Sequence, residues 1–132
     1  GVAATATTLT INQTQTSSSG SVFTLTSSVV TVAKTADFQI NGECYFNSGG
    51  TNRSEYTMWL EVDTGAGFAE VPGTRAGIYE RGYDSGGTSA FTTILSVTSG
   101  DDFRIRIQRT SGGGTTGYQE DNGTRFTFIE VG

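Results

Sequence analysis

Three acidic pairs come closest to a catalytic set: Asp101-Asp102, Glu80 with Asp84, and Glu120-Asp121. Two carboxylates cleave a glycosidic bond when one donates a proton and the other attacks or activates water. Asp101 and Asp102 are adjacent, however, so a strand would send them to opposite faces. The simpler role for Asp101 is to shape a turn through side-chain-to-backbone hydrogen bonds. No histidine occurs, which removes Ser-His-Asp and Cys-His catalysis and any imidazole metal site. Cys44, the single cysteine, has no partner for a disulfide within the chain. It falls in the apolar alternation Phe38, Ile40, Gly42, Cys44, Phe46, where a small core residue is expected. The sequence is read as non-enzymatic, with no catalytic residue.

Binding chemistry has more to work with. Asp63-x-Gly-x-Gly and Asp84-Ser-Gly-Gly are oxygen-rich stretches of the kind Ca²⁺ uses. Neither has EF-hand or nonapeptide spacing, so both read first as turns and no cofactor is expected. Sugar recognition is the second option, by exposed rings beside hydrogen-bonding groups. Trp59 and Tyr118 are candidates, and segment 78–88 is richest, with Tyr79, Arg81, Tyr83 and Asp84. A subunit-interface loop would explain the same residues. Net charge is −5 with Lys34 the only lysine, which argues against a nucleic-acid partner. Arg104 and Arg106 share a parity that Arg109 does not, and are expected in strand-face ion pairs or an inter-subunit contact.

The elements that must hold these groups are strands. Phe103, Ile105 and Ile107 alternate with Arg104, Arg106 and Gln108, and Phe126 and Phe128 alternate with Arg125 and Thr127. A period of two means half-buried antiparallel strands. Strands are expected at 22–26, 28–33, 37–47, 55–62, 67–71, 76–81, 89–98, 102–109, 116–119 and 124–131, separated by Gly-, Ser-, Asn- and Asp-rich turns. Thr, Ser and Gly suit this pattern and suit helices badly. At 132 residues the chain is expected to be one all-β domain, an antiparallel β-sandwich. No apolar run is long enough to span a bilayer as a helix, and no membrane insertion is expected.

The first 33 residues carry no charge. Residues 1–20 are read as a Thr/Ser/Ala-rich arm or linker and 21–132 as the β domain. Two readings of the arm compete: a terminus too poor in apolar surface to order, or a strand that pairs with a neighbouring chain through residues 6–11. Several strands also carry large groups on both parities: Tyr45 beside Cys44 and Phe46, Trp59 between Met58 and Leu60, and Ile129 beside Phe128. A two-layer sandwich buries one face of each sheet, so the surplus points to an oligomer. Tyr45, Trp59, Arg104 and Arg106 are the interface candidates.

Segment 34–42, KTADFQING, resembles the G-x-Y-x-I-x-G strand of C1q/TNF-like jelly rolls, with Asp37-Phe38 in place of Gly-Tyr. Segment 91–107 looks like that family's strand followed by its L-x-x-G-D-x-I/V-x-L stretch, and 124–131 resembles its closing S-x-F-x-G-x-L/I strand. The resemblance covers about residues 22–131, and no Gly-X-Y stem precedes it. It implies a jelly roll that assembles as a homotrimer. Similar modules occur on phage particles as fibre knobs and capsid-decoration proteins, and the lysine-poor, disulfide-free composition is closest to those. The function this implies is a virion structural protein at the particle surface, tethered to capsid or fibre through its N-terminal arm. The alternative is a secreted or fibre-tip module that binds a host-surface glycan or receptor.

Overall fold

The computed structural model describes residues 2–11, 22–47, 53–81, 86–112, 117–118 and 123–131. Within them lie eleven strands: β1 Thr7–Thr8, β2 Phe23–Thr26, β3 Val29–Val32, β4 Ala36–Asn47, β5 Ser54–Asp63, β6 Phe68–Glu70, β7 Ala76–Glu80, β8 Gly86–Val97, β9 Asp101–Gly112, β10 Gly117–Tyr118 and β11 Thr124–Glu130. All ten strands expected from the alternation are present. Each strand pair is antiparallel.

Two sheets form. In the larger, β9 is bonded to β5 along one edge, while β3 and then β1 follow one another along the other. β7 and β6 continue outward from β5, and β2 outward from β3. In the smaller, β4 is flanked by β8 on one side and by β11 and β10 on the other. The interior holds the expected core residues: Phe38, Ile40, Phe103, Ile105 and Ile107 are buried, and Phe126 and Phe128 pack against them. Edge-to-face and tilted rings fasten the layers at one end, with Phe23 against Phe38 and Phe128, and Phe103 against Phe128. At the other end Phe46 stacks on Tyr56, with ring centroids 5.4 Å apart. Such pairs add to what area burial alone contributes.

Glycines let the packing close at defined points. Gly42 stands opposite Phe91 in the β4–β8 register, and a Cβ there would overlap the Phe91 ring and crowd Ile105. β8 also begins earlier than the alternation suggests, because Gly86 and Gly87 extend the ladder to Asn47 and Phe46. The Tyr45 hydroxyl lies over Gly86, and the Ile78 side chain over Gly87. The aromatic and aliphatic groups thus occupy space that the glycines leave empty.

The expectation of an arm or linker over residues 1–20 needs correction for residues 2–11. Val2 and Leu9 are buried in the common core. The Leu9 amide donates to the Ile105 carbonyl, and the Arg109 amide donates to the Ala3 carbonyl. The segment also donates its Ile11 amide to the Ser28 hydroxyl at 2.9 Å. That contact steadies a two-residue hairpin turn in which Ser27 and Ser28 both have positive φ, 48° and 65°, a conformation costly for residues other than Gly, Asn and Asp. So residues 2–11 fill the stretch of β9 edge that β3 is too short to cover. Residues 12–21, where the domain boundary was expected, lie outside the described residues.

Cys44 is fully buried, as its place in the alternation suggested, and burial pushes its thiol up to about 12. A thiol reagent at about pH 8 should therefore leave the native protein unmodified and react only with unfolded chain. Rapid stoichiometric modification without denaturant would refute this. Gly42→Ala should lower urea-unfolding stability by about 1–3 kcal/mol through overpacking against Phe91; a loss below about 0.5 kcal/mol would show that the ring has room to move.

Candidate functional site

The two outer faces of the sandwich differ in chemistry. On the larger sheet, Trp59, Glu61, Arg104 and Arg106 share the outward parity of β5 and β9. Glu61 stands opposite Glu70 of β6, a like-charge pair that would repel if left alone. Arg104 donates to Glu61 Oε1 from Nε at 2.8 Å and stacks 3.9 Å over the Phe68 ring. Arg75 forks onto Glu70, with 2.6 Å between its terminal nitrogen and Oε1, and lies 4.3 Å over the Trp59 ring. That hydrogen-bonded pairing holds the Glu70 carboxyl below its ordinary range and lifts the Arg75 guanidinium above its own. The Trp59 indole N–H donates to Glu61 Oε2 at 3.1 Å. Arg106 completes the face, donating to Thr8 Oγ1 and to the Ala6 carbonyl.

The interface candidates therefore separate. Trp59 is 5% exposed, already covered within its own chain, and Arg104 and Arg106 are committed to Glu61 and to residues 6–8. Tyr45 lies on the other sheet, half-buried against Gly86. The surplus aromatic group that suggested a partner has an intramolecular home in Arg75, reached through the turn after β6. Of the sugar-contact candidates, Tyr79 is 49% exposed and Arg81 is exposed, whereas Tyr83 and Asp84 lie outside the described residues.

Of the carboxylate pairs, only Asp101-Asp102 lies wholly within the described residues, and its two side chains part. Asp101 is buried and accepts the Thr98 amide at 2.9 Å, as expected of a turn-shaping residue. Asp102 takes the opposite parity and accepts the Thr31 hydroxyl. Glu80 is buried on the inner face, while Asp84, Glu120 and Asp121 lie outside the described residues. Asp63 accepts the Gly65 and Gly67 amides and so closes its own turn. Among the described residues, no three acidic or sulfur ligands cluster around a metal position.

The outer face of the smaller sheet is the one the sequence did not single out. Its cross-strand rows are Ile94–Gln39–Ile129 and, one step along, Thr92–Asn41–Thr127. Ile94 is 63% and Ile129 47% exposed. Asn41 accepts from Thr92 and Gln39, which fixes the polar groups flat across the sheet. Charge on this face appears beyond the rows, with Arg125 beside Glu43 at one end and Asp37, which accepts the Ser96 hydroxyl, at the other. Two uncharged rows carrying exposed isoleucines on a rigid sheet form a surface suited to burial against another protein. The sequence showed one sign of it, Ile129 beside Phe128. The rows emerge only once β8 and β11 flank β4.

Glu61→Gln should destabilise the fold by about 1–2 kcal/mol, since two half-buried guanidiniums lose their carboxylate. Arg106→Ala should free residues 2–11, accelerating hydrogen exchange of the Leu9 amide about tenfold or more while β5–β9 amides stay protected. Unchanged protection at Leu9 would mean that apolar burial alone holds the segment.

No family model matches the sequence, and no curated protein matches it. Solved structures do. Murine APRIL at pH 5.0 aligns with TM-score 0.63 and 12% identity over 85% of this chain and 79% of that one. Murine APRIL at pH 8.0 gives TM-score 0.62 at 12% identity, over 85% and 76%. Eiger TNF from S. frugiperda gives TM-score 0.61 at 14% identity, over 83% and 69%. At such identities the likeness concerns the backbone alone, and it is enough for one conclusion: this chain has the all-β, antiparallel, TNF-like jelly-roll fold.

Proposed function

We propose that the protein is a non-enzymatic structural module that self-associates as a homotrimer and serves at the surface of a phage-type particle, as a capsid-decoration or fibre-knob protein. The observation that carries self-association is the pair of uncharged rows on the outer face of the β8–β4–β11 sheet, with Ile94 and Ile129 exposed on either side of Gln39. The trimer is the assembly that the C1q/TNF resemblance implies. A structural role fits a chain without histidine in which Asp63 and Asp101 close turns and Glu61 and Glu70 are held in ion pairs. A particle-surface location fits the lysine-poor, Thr- and Gly-rich composition, with secretion as the alternative. A receptor- or glycan-binding role is supported by Tyr79, half exposed at the end of β7 with Arg81 next to it.

Light scattering should give three times the 13.9 kDa chain mass. Ile94→Asp with Ile129→Asp should shift the protein to a folded monomer, its unfolding midpoint lowered only by the loss of assembly, because both side chains face outward. A wild-type monomer, or an oligomer indifferent to this double variant, would refute the interface. Mass spectrometry of purified particles from the source should find the chain on them, and a glycan array should be flat. Specific glycan binding lost in Tyr79→Ala would favour the receptor-binding role instead.

A further inference from the structure

Strand β8 leaves one edge of the smaller sheet open. It is bonded to β4 in a continuous register, from Ala36 opposite Val97 to Asn47 opposite Gly86. Among the described residues no strand pairs with its other side. The ladder fixes which groups lie there. The Tyr45 amide donates to the Gly123 carbonyl and the Val131 amide to the Asp37 carbonyl, so the odd-numbered residues of β4 bond toward β11. Its even-numbered residues therefore bond toward β8, where they meet the odd-numbered ones, Gly87 to Val97. That leaves the N–H and C=O groups of Gly86, Thr88, Ala90, Thr92, Ile94 and Ser96 pointing away from the sheet. All of these residues are exposed.

Exposed edges are ordinarily blunted by shortness, charge, proline or a bulge. The other edges follow that rule: β2, β6 and β7 span four, three and five residues, and β11 carries Arg125 and Glu130. β8 has none of these devices. It runs for twelve residues without a register shift, and residues 85–100 hold neither charge nor proline. A second copy therefore meets no like charge along this edge, although the chain as a whole carries −5. The edge is also complementary to itself. A two-fold axis through Phe91 sets Gly86 opposite Ser96, Thr88 opposite Ile94 and Ala90 opposite Thr92, so every outward N–H and C=O finds a counterpart. Thr88 with Ile94 is a β-branched cross-strand pair of the kind that stabilises sheets. The uncharged rows that end in Ile94 and Thr92 then continue onto Thr88 and Ala90 of the second copy.

We infer that the open edge of β8 is a docking site for the same edge of a second copy, joining two four-stranded sheets into one continuous antiparallel sheet across a two-fold axis. This contact goes beyond the homotrimer proposed above and does not rest on it. The trimer uses the face of the sheet and this contact its edge. It links trimers in pairs, or single chains in pairs where the face does not assemble them.

The test uses the full chain, followed by light scattering over about a hundredfold range of concentration up to about 1 mM. The mass should climb to twice its low-concentration value or beyond. Thr92→Pro should abolish the climb yet keep the wild-type unfolding midpoint at low concentration, because the N–H it removes points to the open edge, where proline is tolerated. Ala90→Lys, an exposed position, should abolish it by setting like charges across the axis. Hydrogen exchange reads the edge directly. In dilute protein the amides of Ser89, Phe91 and Thr93 should be protected and those of Thr88, Ala90, Thr92 and Ile94 exposed to exchange; in concentrated protein the second set should slow about tenfold or more. Ile129→Asp, on β11, should weaken the trimer and leave this protection unchanged, so the face and the edge fail separately. A mass independent of concentration would overturn the inference. So would a climb that both β8 variants leave untouched, which would place the contact elsewhere. Outward amides protected equally at every concentration and in Ala90→Lys would also overturn it, since the edge would then be covered within its own chain.

Discussion

Strand β9 cannot slip by one residue. Its inward parity supplies Phe103, Ile105 and Ile107 to the core, and its outward parity supplies Arg104 and Arg106. A shift of one position would bury two guanidiniums and expose three large apolar groups. Both of its edges are occupied, by β5 on one side and by β3 and residues 2–9 on the other. The register of three other segments is thereby referred to this strand. Once β9 is placed, Glu61 stands opposite Arg104 and Trp59 opposite Arg106, and the outer face of the larger sheet has little choice left.

That face shows how a surface becomes unavailable. Every strong group on it has a partner in the same chain: Glu61 with Arg104, Glu70 with Arg75, Trp59 beneath Arg75, Phe68 beneath Arg104. A newcomer would have to break charge-assisted hydrogen bonds before making its own. The smaller sheet offers the opposite situation. Its central rows hold isoleucines together with amides and hydroxyls, which cost less to desolvate than ions do. The contrast, rather than any single residue, is what makes the smaller sheet the candidate for the self-association proposed above.

The strands were legible because alternation is a local property. Parity alone placed Phe103, Ile105, Ile107, Arg104 and Arg106 correctly, and the turn role of Asp101 followed from its position before a strand. What escaped was non-local. Residues 2–11 look like an arm because they lack charge and most of their side chains are small; their order comes from Arg106 and Gln108 donating to carbonyls about a hundred residues away. Trp59 was rightly put on the outward parity, yet its burial depends on an arginine from the turn after β6. Ile94 and Ile129 are 35 positions apart in sequence, and nothing in either segment announces that both flank Gln39. Nor does a carboxylate reveal from sequence that it will face inward, as Glu80 does.

The placement of the outermost described segments gives the sandwich a direction. Ala3 is hydrogen-bonded at Arg109, close to where β9 terminates, whereas Val131 is bonded at Asp37, where β4 begins. Those points lie at opposite ends of the sandwich, separated by about 30 Å of strand. Anything joined ahead of residue 3 would emerge at one pole, and anything joined after residue 131 at the other. Threading such a unit between two other modules would lengthen the whole without folding it back on itself.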